Sequence, residues 1–78
     1  MTPDKTPEEG VMEAVAKVFH KKATEISRNT RFVEDLLAKS VNFVELTAIL
    51  EYEFGITIPL AKARRAKTVG DVISLLGK

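Results

Sequence analysis

Ser40 is the residue whose setting admits chemistry. It stands in the run Phe32-Val-Glu-Asp-Leu-Leu-Ala-Lys-Ser-Val-Asn-Phe-Val-Glu-Leu46, where a turn-like segment ends and an amphipathic stretch begins. The first N–H groups of a helix lack internal partners and carry the positive end of its dipole, so a phosphate esterified to this hydroxyl would be stabilised there. A serine so placed is either a helix cap or an attachment point. Other candidates for chemistry are few. The chain has no cysteine, which excludes disulfides, thiolate metal sites and cysteine nucleophiles, and His20 is its single histidine. Lacking metal-ligand companions, His20 is read as a structural or surface residue near a helix end. There is no Gly-rich phosphate loop, no metal-ligand cluster and no serine, histidine and acid set in a plausible constellation, so an enzyme is not expected.

The elements that must position Ser40 follow from composition and spacing. At 78 residues, with 45% hydrophobic and 29% charged residues, the chain supports one compact soluble domain and no roomy enzyme cleft. No apolar run approaches the roughly 20 residues that cross a bilayer, so no membrane insertion is expected. The first ten residues, MTPDKTPEEG, lack the basic, apolar and small-residue progression of a secretory signal, which points to a cytoplasmic location. Net charge is +1, which by itself argues neither for nor against nucleic acid.

Residues 1–7, with two prolines, read as a flexible lead-in, and 8–78 as a single domain. A first helix is expected from about Glu8, with Val11, Met12, Val15, Val18 and Phe19 as its apolar stripe. A polar loop follows over 21–31, with Ile26 tucked inward, and Phe32, Val33 and Leu36 anchor its end. The second helix is expected from Ser40 to Phe54, burying Phe43, Leu46, Leu50 and Phe54 and leaving Val41, Val44, Glu45, Ala48, Glu51 and Tyr52 outward. That outward face mixes apolar and acidic residues and suits docking. Gly55 ends the helix, 56–58 form an extended connector, and a short third helix covers 60–66. The last helix opens with the capping pattern Thr68-Val-Gly-Asp71 and points Val69, Val72, Ile73 and Leu76 inward. The fold class is all-α, a four-helix bundle with three main helices and a short third one.

With this helix order, the segment from Phe32 to Leu46, followed by Leu50-Glu-Tyr-Glu-Phe-Gly-Ile-Thr-Ile-Pro59, resembles the signature of acyl carrier proteins. Glu25-Ile26 in the long loop and Lys67-Thr-Val-Gly-Asp71 at the last helix extend the resemblance over nearly the whole chain. It implies that Ser40 takes a 4′-phosphopantetheine arm from coenzyme A through a phosphopantetheinyl transferase. That arm would supply the thiol the chain lacks and carry acyl groups as thioesters to acyl-transferring or acyl-modifying enzymes. The protein itself would be a monomer that catalyses nothing. Lys39 is a candidate phosphate contact, and Phe43, Leu46, Leu50, Ile58 and Ile73 are candidates to line an acyl shelter.

The chain also departs from the family pattern. Lys39 and Leu37 stand where members usually have aspartate and glycine, and Asn42 replaces another customary acid. Lysine beside a phosphodiester is electrostatically acceptable, so these changes bear on transferase recognition more than on phosphate binding. Lys62, Arg64, Arg65 and Lys67 make the third helix basic where common fatty-acid carriers are acidic, and Lys62, Arg64 and Arg65 join Val41, Val44, Glu45, Ala48, Glu51 and Tyr52 as the candidate docking residues. The expectation is a specialised fatty-acid, lipid or polyketide-like carrier with altered partners. The alternatives are an unmodified carrier-like interaction module, a peptidyl or aminoacyl carrier and, least supported because the long helix carries only acids, a nucleic-acid binder.

Overall fold

A computed structural model describes residues 6–76. Its elements are α1 (Pro7–Phe19), a 3₁₀ turn (Ala23–Glu25), α2 (Ser40–Phe54), α3 (Leu60–Arg65) and α4 (Val69–Leu76), with no strand among the described residues. The helical class and the short third helix are as the periodicity predicts. Residues 1–5 of the expected lead-in lie outside the described residues, as do 77 and 78. Thr6 and Pro7 are not lead-in but open α1. Thr6 Oγ1 accepts the Glu9 N–H at 3.2 Å while Glu9 Oε1 accepts the Thr6 N–H at 3.3 Å, and Pro7 supplies a first-turn residue with no N–H to satisfy.

The core is one cluster drawn from all four helices and the long loop. Val11, Val15 and Val18 of α1 meet Phe43, Leu46 and Leu50 of α2, Ala63 of α3, and Val69, Val72 and Ile73 of α4. α1 packs against both α2 and α4, and α2 packs against α3. From the loop, Ile26 and Phe32 enter the same cluster, and the Phe32 ring lies 5.2 Å from Phe43 and 6.3 Å from Phe19. Gly10 lets α1 approach α2 closely, because a Cβ there would clash with the tip of the Phe54 ring.

Val33 is a correction. Expected to anchor the loop's end, it is 62% exposed, while Phe32 is fully buried and Leu36 half-buried. The chain turns at this point, so adjacent apolar residues face opposite ways and Phe32 alone takes the core position. The loop is then fastened to the start of α4. The Val69 N–H donates to the Thr30 carbonyl at 2.9 Å, Gly70 to Arg28 at 2.8 Å, and Phe32 to Lys67 at 3.0 Å. These bonds satisfy loop backbone that no regular element serves, and they hold the end of the loop ahead of Ser40 against the bundle.

Candidate functional site

The turn over 31–38 sets where α2 begins. Asp35 accepts the Arg31 N–H at 2.8 Å, and the Asp35 N–H donates back to the Arg31 carbonyl at 3.0 Å. The bond from the Arg31 N–H, helped by the Arg31 side chain, holds the Asp35 carboxyl below its ordinary range. Leu37 then adopts φ 55°, a left-handed conformation, and the chain folds back so that the Ala38 N–H reaches the Phe32 carbonyl at 2.9 Å. Only with Leu37 in that region does the turn close, which is the physical reason a glycine suits this place.

Ser40 is the first residue of α2, not its cap. The residue before the helix is Lys39, whose N–H donates to Asn42 Oδ1 at 2.8 Å. Asn42 therefore satisfies the N–H of the residue that precedes the helix, a role that its amide carries where a lost acid alone would suggest none. The signal was present as an amide three residues into the helix. With that task done by Asn42, the Ser40 hydroxyl is exposed and takes no hydrogen bond from the described residues. The capping alternative for Ser40 is thereby overturned.

The surroundings suit an anionic substituent on that oxygen. The N–H groups of Ser40 and Val41 have no backbone acceptor among the described residues, no acid lies in the first turn, and exposed Lys39 adjoins it. Fifteen residues of helix place the positive end of the dipole at the same point. A phosphodiester on Ser40 Oγ thus meets free donors and one cation, and no side chain blocks the hydroxyl by hydrogen bonding.

Residues 9–76 match the family model described as phosphopantetheine attachment site. The chain is 44% identical over 69 residues, 88% of its own length and 80% of theirs, to acyl carrier proteins of Rickettsia canadensis (strain McKiel), Rickettsia massiliae (strain Mtu5) and Rickettsia prowazekii (strain Madrid E). The chain belongs to the acyl carrier protein family. The cofactor of this family, 4′-phosphopantetheine held covalently, is therefore this carrier's cofactor, and the free hydroxyl and donors at α2 fit it.

The remaining candidate residues fall into three places on this acyl carrier protein. Val41, Val44, Glu45, Ala48 and Tyr52 are exposed along α2, Tyr52 to 90%. Glu51 departs from the expected outward face. It is half-buried, and its Oε2 accepts the Ile58 N–H at 2.7 Å, tying the connector after Gly55 back onto α2. Helical spacing alone could not show this, because the partner lies beyond the helix end.

Phe43, Leu46, Leu50, Ile58 and Ile73 are all buried and belong to the one core cluster. The fold brings together the five residues nominated for acyl shelter, from α2, the connector and α4. Lys62, Arg64 and Arg65 are exposed on α3.

Proposed function

We propose that Ser40 is the attachment point of the 4′-phosphopantetheine arm, and that the chain presents acyl intermediates to enzymes of a fatty-acid, lipid or polyketide-like pathway. The observation that carries this is the exposed, unpartnered Ser40 hydroxyl at the start of α2, inside the segment matched to the family. When bound, the arm supplies a terminal thiol on which acyl groups travel as thioesters. The chain's own residues bind and orient. The Ser40 and Val41 N–H groups and Lys39 neutralise the phosphate charge. Asn42 holds the first turn of α2 in register, so that Ser40 Oγ stays accessible to a transferase. Phe43, Leu46, Leu50, Ile58 and Ile73 offer an apolar interior that an acyl chain enters by parting the helices. In this reading the protein holds and presents the acyl group and catalyses nothing itself.

In this reading the chain from Thr6 onward acts as one monomeric cytoplasmic domain; no helix among the described residues is long and apolar enough to cross a membrane. The exposed face of α2, carrying Val41, Val44, Glu45, Ala48 and Tyr52, meets the transferase and acyl-handling enzymes. Intact mass after incubation with coenzyme A and a broad-specificity phosphopantetheinyl transferase tests the assignment. One phosphopantetheine addition is expected, and none on Ser40→Ala. Failure of every transferase to add the arm would overturn it and favour an unmodified interaction module, whose support is Lys39 in place of an acid.

A further inference from the structure

The charges on this molecule are sorted by element. Residues 40–53 contain the acids Glu45, Glu51 and Glu53 and no cation, whereas residues 54–76 contain Lys62, Arg64, Arg65 and Lys67 against the single acid Asp71. Asp71 keeps its negative charge and offsets one of the four cations, leaving a net +3 over this stretch. One of its oxygens accepts the Lys67 N–H at 2.9 Å and the Thr68 N–H at 3.1 Å, so it is committed to starting α4. Among the described residues the ion pairs are Arg28 with Glu8 and Arg31 with Asp35, and the four cations at 62–67 have none. Lys62, Arg64 and Arg65 lie within one turn of α3 and repel each other, and a partner's carboxylates would relieve that.

The same face is concave. A cleft of about 240 Å³ between the connector, α3 and α4 is lined by Ile58, Lys62, Leu75 and Leu76 among others. A second cleft of about 250 Å³ is lined by Lys62, Arg65, Ala66, Asp71 and Leu75. Lys62 and Leu75 line both, so the two clefts adjoin as one grooved surface, with Leu75 between them and with Lys62 and Arg65 against the single acid Asp71. Each half has the size of a large side chain and not of a small-molecule site.

We infer that this α3–α4 groove docks a partner protein through a carboxylate-rich segment that inserts one or two apolar side chains between Lys62, Arg65 and Leu75. An anionic bilayer or a nucleic acid would also meet the cations, but neither brings apolar knobs for the two clefts. A protein segment can match the cations and the apolar clefts in one place. The inference deepens the carrier reading and rests on it for the partner being an acyl-handling enzyme. The groove itself does not involve Ser40.

The test is a titration of the full ¹⁵N-labelled chain, as wild type and as Ser40→Ala, followed by backbone amide shifts. The probe is a helical peptide of glutamates bearing two leucines one turn apart. Shifts confined to 56–66 and 75–76 are expected in both proteins, with the dissociation constant raised roughly tenfold by the double change Lys62→Glu and Arg65→Glu. Added salt is expected to weaken binding. Equal binding of a glutamine version of the peptide, shifts centred on 41–52, or indifference to the double change would overturn the inference. Tighter binding to phosphatidylglycerol vesicles or duplex DNA than to the peptide would do the same. Because Ser40→Ala is expected to bind as wild type does, a failed titration and a failed arm attachment are separate results.

Discussion

Leu37 carries the most direct test of how the Ser40 site is built. Its φ of 55° lies in the left-handed region, and its side chain is 76% exposed. For an L-residue that conformation costs about 1–2 kcal/mol. Leu37→Ala keeps the strain and loses what little apolar contact the side chain makes, roughly 0.5 kcal/mol for a quarter-buried leucine. Leu37→Gly removes the strain but frees the unfolded chain, which gives back about 0.5–1 kcal/mol. Glycine should therefore exceed alanine at this position by about 0.5–1 kcal/mol. At Ala48, exposed in the interior of α2, the order is opposite, with Ala48→Gly costing about 1 kcal/mol. The sign inversion is the prediction. Urea unfolding of wild type, Leu37→Ala, Leu37→Gly and Ala48→Gly measures it, and one kcal/mol also moves the melting temperature by roughly 4–8 °C in a domain of this size. If Leu37→Gly fell below Leu37→Ala by as much as Ala48→Gly falls below wild type, the left-handed turn before Ser40 would be refuted.

Two other residues give further predictions. Glu51→Ala removes the acceptor of the Ile58 N–H and should cost about 1–2 kcal/mol in urea unfolding, with faster hydrogen exchange at Ile58, whereas Glu51→Gln retains an acceptor and should lose less. Asp71 has its pKa lowered chiefly by the hydrogen bonds from the Lys67 and Thr68 N–H groups. A depressed folded pKa means that its stabilisation is full above the unfolded carboxylate range and is lost as pH falls through that range toward the lowered folded value. Asp71→Asn should accordingly cost roughly 0.5–1 kcal/mol at neutral pH, a modest figure because the group is solvent-screened, and should flatten the acid limb of stability against pH. An unchanged acid limb would show that the carboxylate does not act through its charge.

Much of this was legible in the residues because it rests on local rules. The stripe of α1, the span of α2, the left-handed end at Gly55 and the Thr68 to Asp71 cap each depend on neighbours within about one helical turn. Ser40 stood out for the same reason, since a helix start is a local event and the residues around it repeat a family pattern. Val33 did not follow, because an apolar residue in a turn can face either way and only the closure of 31–38 onto α4 selects Phe32. Asn42 was misjudged when weighed as a missing charge, although its amide spacing from Lys39 already suited a cap.

By itself, then, the amino-acid order determined the helices, the all-α class, the five buried candidates for the acyl shelter and the serine to which the arm is assigned. Tertiary structure alone decided that Glu51 turns to the Ile58 N–H, that Leu37 takes a left-handed conformation, and that the basic α3 shares a groove with Leu75 of α4. The division has a physical cause. Periodicity and capping are written in residues a few positions apart, whereas a side chain's partner across a turn, or a groove between two helices, exists only once the core has packed and fixed their distance.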